Sequence, residues 1–203
     1  MNWGQIKTQF YIKFGDIYTE YFDDTRLSGF FSEAYRRVVE DQYNIWQNSK
    51  KNLTMLSGLM AQQVGAPTSP STLTKPASYK YMLSLNLKYT VNGYVYYREA
   101  EMERLGKLFD PLDLATYKKP RYYEMGNLLE FVATETGDVP TEVTLQYLVE
   151  PIPCNLPSSA AVSPLIPDKL VDELILQAVK IACEVSKDPE GYQIQEMELK
   201  MNQ

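Results

Sequence analysis

Apolar side chains recur at two different spacings along the chain, and the switch between them sets out its parts. Leu27, Phe30, Phe31, Ala34, Tyr35, Val38, Val39 and Trp46 follow the i, i+3, i+4, i+7 rhythm of one helical face, with Arg36, Arg37, Glu40 and Asp41 mostly opposite. The spacing predicts a helix over about 26–47. Asp23, Asp24 and Thr25 precede it and can supply a capping oxygen. A shorter helix is expected from Trp3 to Phe14, ended by Gly15. Leu53, Leu56, Leu59 and Met60 suggest that 52–63 continues the helical part or forms its own short helix. Val171, Leu174, Ile175, Ala178, Ala182 and Val185 predict a final amphipathic helix over 168–186, with Pro167 at its entry and Asp188-Pro189 as its stop.

Between these helices the period falls to two. Tyr81, Leu83, Leu85, Leu87 and Tyr89 alternate with Lys80, Met82, Ser84, Asn86 and Lys88, the pattern of a half-buried strand. Asn92-Gly93 then suits a type I′ turn, and residues 94–98 return as the partner strand. A second hairpin is expected over 122–131, turning near Met125-Gly126-Asn127. Val143, Leu145, Tyr147 and Val149 mark another strand. Asp110-Pro111 reads as the start of a short helix.

The expected fold is therefore α+β, a helical body from N- and C-terminal helices with a central antiparallel β region. Its expected parts are an N-terminal helical part (1–63), a Pro/Ser/Thr-rich loop or arm (64–78), the antiparallel β region (79–150), a Pro-rich linker (151–167), and a C-terminal helix with a docking tail (168–203).

Composition then removes most chemistry. The chain has no histidine, so Ser-His-Asp and Cys-His catalysis, imidazole metal sites and histidine proton shuttles are excluded within it. Its two cysteines, Cys154 and Cys183, form no CxxC motif and read as small apolar fillers. Asp110 and Asp113 have the spacing of a cap and first helical turn rather than of an acid–base pair. Asp23-Asp24 likewise reads as a cap rather than a cation site. No phosphate loop or nucleophile elbow occurs. No catalytic residue, metal or cofactor is expected, and the chain reads as non-enzymatic. With 20 basic and 26 acidic residues it carries a net charge of −6, which argues against a general nucleic-acid coat or a polybasic membrane binder. No apolar run reaches membrane-spanning length, and no signal-peptide pattern opens the sequence.

What remains points to partners. The chain has 16 tyrosines, and those at Tyr94, Tyr96 and Tyr97 fall on a strand, where a rigid amphipathic ring suits an interface. Lys118, Lys119 and Arg121 are the one notable basic cluster and could meet a phosphate or an acidic surface. Ile194, Met197 and Met201 recur on one side of a short acidic C-terminal segment, too few to hold a free helix, as in a segment that orders on binding.

Three stretches, in order, resemble the head–tail connector (adaptor, or neck-ring) proteins of short-tailed bacteriophages. The first is Phe22-Asp-Asp-Thr-Arg-Leu-Ser-Gly-Phe-Phe-Ser-Glu-Ala-Tyr-Arg-Arg-Val38, similar to the family's first long helix with its acidic entry. The second is Lys119-Pro-Arg-Tyr-Tyr-Glu-Met-Gly-Asn127, followed by Leu-Leu-Glu-Phe131 and the strand Leu145-Gln-Tyr-Leu-Val-Glu-Pro151-Ile-Pro153. The third is Ile166-Pro-Asp-Lys-Leu-Val-Asp-Glu-Leu-Ile175, similar to the family's Pro-Asp-led final helix. The tyrosine content fits the crAss-like group. The resemblance implies a virion protein at the neck, made in the host cytoplasm. It would form a homo-oligomeric ring, usually dodecameric, that joins the portal protein to the next neck or tail ring. DNA would pass through without sequence-specific binding and no membrane would be involved. A terminal segment would clamp the portal, and the β region would face the next tail component. The alternatives are a small enzyme of unknown chemistry and a soluble partner-binding adaptor unrelated to virions.

Overall fold

The computed structural model describes residues 1–15, 22–50, 53–67, 72–91, 94–102, 116, 118–132 and 139–186. It is a mixed α+β chain of two compact units: Met1–Leu59 together with the chain from Pro151 onward, and Met60–Glu150. The second unit is thus an insertion in the sequence of the first.

The helical unit holds α1 (Trp3–Phe14), α2 (Asp24–Ser49), a 3₁₀ turn (Leu53–Leu59) and α3 (Asp168–Ser186). Caps fix where the first two begin. The Asn2 side chain accepts from the Gln5 N–H while the Gln5 side chain accepts from the Asn2 N–H, both at 2.9 Å, a reciprocal capping box. Asp23 Oδ1 accepts from the Arg26 N–H at 2.8 Å. Gly15 ends α1 at φ 75°, a left-handed conformation that glycine adopts without a Cβ clash. Between α1 and α2 lies an aromatic cluster. Phe10 meets Phe31 edge-on at 5.5 Å, Trp3 stacks on Phe31 at 6.1 Å, and Phe22 meets Phe30 at 5.1 Å. The Tyr11 hydroxyl donates to the Phe22 carbonyl at 3.1 Å and ties α1 to the entry of α2.

Two expectations change here. Val185 is exposed and Trp46 only half-buried, with the Lys50 ammonium 4.2 Å from its ring centroid. In exchange α3 is buried more widely than one stripe: Leu170, Leu176, Val179, Ile181 and Cys183 join the five buried residues of the face read from the sequence. A helix buried on most sides needs only short or apolar residues there, and α3 supplies them.

Residues 151–167 are not a free linker. They form a strap packed on the helices, with Cys154, Leu156 and Ile166 buried. The Trp3 and Gly4 N–H groups, left over at the start of α1, donate to the Val162 and Ala160 carbonyls at 2.9 Å each. In return the strap's N–H groups at Cys154, Leu156 and Leu165 donate to Ser32 Oγ (3.0 Å), Ser28 Oγ (2.8 Å) and the Tyr35 oxygen (3.1 Å). Ser28, Ser32 and Tyr35 are spaced four and three residues apart, so they share one face of α2. Burial pushes the Tyr35 phenol up to about 12, although the Leu165 N–H pulls it the other way. Gly58 completes the fit, because a Cβ there would come within 2.5 Å of the Leu165 carbonyl oxygen.

The inserted unit has two four-stranded sheets, ordered β1-β8-β3-β4 and β2-β7-β6-β5. The strands are β1 (Met60–Gly65), β2 (Thr72–Thr74), β3 (Tyr79–Val91), β4 (Tyr94–Glu99), β5 (Glu101–Met102), β6 (Arg121–Met125), β7 (Leu128–Val132) and β8 (Glu142–Val149). All pairs are antiparallel except β5 with β6. Inward residues of both sheets build one core from Leu73, Leu85, Leu87, Tyr89, Tyr122, Leu129, Phe131, Val143, Leu145 and Tyr147. The expected hairpin at 122–131 is present, with Met125 opposite Leu128 and Gly126 at φ 59°.

The strand expected from residue 79 onward holds, but its phase does not. Register shifts between Tyr79 and Tyr81 and between Met82 and Ser84 place Tyr79 and Met82 against the core instead of Tyr81 and Leu83. The helical reading of 52–63 ends at Leu59, since Met60 opens β1. The loop expected at 64–78 carries the end of β1 and all of β2. β1 shows no clean period of two in its residue types and β2 is only three residues long, so cross-strand pairing rather than local pattern decides them. The Asn92-Gly93 turn, the Asp110-Pro111 start and the tail from residue 187 lie outside the described residues.

A polar lock joins the two sheets. Lys75, whose side chain is only 10% exposed, places its ammonium 2.6 Å from Glu124 Oε2 of β6 and 3.1 Å from the Gly126 carbonyl. The Tyr79 hydroxyl of β3 donates to Glu124 Oε1 at 3.0 Å, and the same ammonium sits 4.8 Å from the Tyr79 ring centroid.

Two predictions follow from this packing. Phe31 and Leu174 are fully buried, so Phe31→Ala and Leu174→Ala should each lower stability by about 2–5 kcal/mol, read as a lower denaturant midpoint. Glu124→Ala leaves the covered Lys75 ammonium without its carboxylate and should cost about 1–3 kcal/mol. A double-mutant cycle with Lys75→Met should show coupling between the two.

Candidate interaction surface

Among the described residues β4 pairs with β3 alone and forms one edge of its sheet. Tyr94 is 69% exposed, Tyr97 62% and Val95 51%, an uncommon concentration of large apolar area on six residues. Tyr96 is half-buried. It lies opposite Tyr89 on the inward face, with the Arg98 guanidinium 5.8 Å from its ring centroid. Tyr97 and Val95 alternate to the outward face, where the Lys88 ammonium stands 5.7 Å from the Tyr97 ring. The two candidate tyrosines, Tyr94 and Tyr96, therefore share a strand and a face but differ in exposure.

The basic cluster does not survive as one surface. Lys118 and Lys119 are exposed in a turn where Thr116 and Lys119 exchange backbone hydrogen bonds of 3.3 and 3.0 Å. Arg121 is 5% exposed at the start of β6, paired with Glu101 on one side and Val132 on the other. The change from turn to strand at Pro120 turns Arg121 inward, which three neighbouring basic letters do not reveal. Ile194, Met197 and Met201 lie outside the described residues, as do Asp110 and Asp113. Cys154 and Cys183 are buried, and burial pushes the Cys154 thiol up, away from the reactive thiolate. Among the described residues no three acidic or sulfur ligands gather as a metal site, and no helix is long and apolar enough to cross a membrane.

Sequence reasoning missed β1, the opposite edge of the same sheet, where Met60 and Val64 are 40% and 54% exposed. It also missed an electrostatic conflict in the helical unit. Asp41 on α2 and Glu173 on α3 are both partly buried, and both carboxyls are held above the usual carboxylate range. For Glu173 burial acts first and the Asp41 charge second, with Lys169 opposing. For Asp41 burial acts first, then Glu40, with Arg37 opposing. Like charges on separate helices give no linear signal, so only packing reveals the pair.

Raised carboxyls mean that the folded chain holds these protons more tightly than the unfolded chain. Stability should therefore rise as pH falls from neutrality through their folded range, and level off near the ordinary carboxylate values. Glu173→Gln should raise the melting temperature at pH 7, and its advantage over the wild type should shrink as the pH is lowered through that window. An unchanged difference across the window would contradict the assignment.

Compared with models of known protein families the chain finds no match, and no curated protein matches it either.

Proposed function

We propose that the chain is a structural connector subunit. Copies assemble into a ring that joins the portal to the next component of a phage neck. The observation that carries this reading is the exposed tyrosine edge of β4 on a compact sandwich inserted into the helical unit. Rigid aromatic area at a strand edge suits recognition. The net charge of −6 suits a channel through which DNA slides, because a ring that gripped phosphates would hold it. Subunits related by rotation use two different faces, and a closed ring follows when the rotation closes. The resemblance over residues 22–190 supplies the setting, with the portal on one side and the neck or tail ring on the other.

Light scattering on the purified chain tests this reading. The expected result is a species many times the 23.3 kDa chain, seen as a ring by electron microscopy. A chain that stays monomeric at every soluble concentration would overturn it.

A further inference from the structure

β1 and β4 are the two edges of one four-stranded, wholly antiparallel sheet. An even number of alternating strands gives the two edges opposite directions. Copies related by rotation can therefore lay β4 of one beside β1 of the next, and the antiparallel pattern continues unbroken.

The hydrogen-bonding phase of both edges follows from one bond and the registers. The Ala100 N–H donates to the Leu85 carbonyl at 2.8 Å, so Leu85, Leu87 and Tyr89 turn their backbone groups toward β4, and Tyr94, Tyr96 and Arg98 answer them. Val95, Tyr97 and Glu99 then point away from β3. Their direction has a visible sign: the Arg98 side chain reaches the Tyr97 carbonyl at 3.3 Å in an exposed position. On the other side, Ser84 and Asn86 turn to Gln146 and Thr144 of β8. Val143, Leu145 and Tyr147 turn to Gly65, Gln63 and Ala61 of β1. Met60, Gln62 and Val64 are left pointing outward. Each edge is six residues long and offers three outward backbone positions.

Only one face-matched antiparallel register brings all six residues together. Val95 faces Val64, Tyr97 faces Gln62 and Glu99 faces Met60 as hydrogen-bonded pairs. Tyr94 faces Gly65, Tyr96 faces Gln63 and Arg98 faces Ala61 as the pairs between. Side chains then agree on both faces. The large inward row of β4 meets the small flanking residues of β1, Ala61 and Gly65, and a tyrosine across from a strand glycine covers the backbone that glycine leaves bare. The Gln63 side-chain oxygen is buried with no hydrogen-bond partner among the described residues. In this register it gains the Tyr96 hydroxyl and the Arg98 guanidinium of the next copy as nearby donors. On the outward face, exposed Val64 meets exposed Val95.

Among the described residues neither edge is guarded in the usual way. β1 has no proline and no charge, and β4 carries charge only at Arg98 and Glu99. A symmetric β4–β4 contact would leave β1 open, whereas the head-to-tail contact covers both edges at once.

We infer that a second copy of this chain is the occupant of both edges, pairing β4 of each subunit with β1 of the next to make a sheet continuous around the assembly. The inference rests on the ring reading and names the contact that builds it.

Opposite charges at one pair test it. Val95→Lys and Val64→Glu sit at exposed positions, so each variant should keep the wild-type secondary structure by circular dichroism. Each alone should shift the light-scattering mass from assembly to monomer, and the double variant should restore the assembly. An assembly that tolerates both single charges overturns the edge pairing and leaves the ring standing on other contacts. Dissociation by Val95→Lys with no effect of Val64→Glu identifies a symmetric β4 contact and likewise overturns it. A wild-type chain that never assembles removes the ring and the pairing together.

Discussion

A segment rich in prolines can pack against helices only if its remaining N–H groups find acceptors, and the helical unit depends on that condition being met. Residues 151–167 return from the inserted sandwich with no ladder of their own. Ser28, Ser32 and Tyr35 on α2 take the N–H groups of Leu156, Cys154 and Leu165, and the strap's carbonyls take the first N–H groups of α1. Each side therefore satisfies groups that the other leaves open. Ala at Ser28 and Ser32 would leave two strap donors in an apolar setting, where an unmet donor costs more than a met one gains. The close approach at Gly58 depends on the same strap position, since it is the Leu165 carbonyl that fills the space of a Cβ.

This reciprocity explains which parts were legible in the sequence. α1, α2 and α3 were readable because each carries a dense apolar face and visible terminal signals: Gly15 at one end, Asp23 and Pro167 at others. β8 was readable because its alternation is clean, and the 122–131 hairpin because Met125-Gly126-Asn127 marks its turn. The strap was misjudged because five prolines look like a spacer when the acceptors sit more than a hundred residues away on α2. β1 was misjudged because Met-Ala-Gln-Gln-Val-Gly follows neither period strongly, and its pairing with β8 is what makes it a strand. The phase of β3 slipped for a local reason: a bulge adds one residue to one strand, and no composition rule announces it.

The candidate surface divides along the same line. Tyrosines at 94, 96 and 97 were visible as a strand with interface chemistry, and two of the three are strongly exposed. The basic cluster was visible as letters but not as a surface, because the turn that exposes Lys118 and Lys119 gives way to a strand that buries Arg121. Glu124 carries no local mark of its contacts with Lys75 and Tyr79, which lie more than forty residues earlier. Long-range carboxylate contacts, helpful as here or repulsive as at Asp41 and Glu173, are properties of packing and leave no mark on neighbouring residues.

The count of strands in the β1-β8-β3-β4 sheet carries the argument furthest toward assembly. Had the sheet held three or five alternating strands, its edges would run the same way, and rotation-related copies could join only by the slanted parallel pattern. Four strands leave edges that run in opposite directions, as an antiparallel join requires. The single bond from Ala100 to Leu85 then fixes which backbone groups face outward on both sides. After Ala100 the chain leaves this sheet: the Glu101 N–H donates to the Pro120 carbonyl at 3.0 Å, and β5 begins in the opposite sheet. β4 therefore stops at six residues, the length of β1. The crossover that closes the sandwich is also what trims one edge to the size of the other.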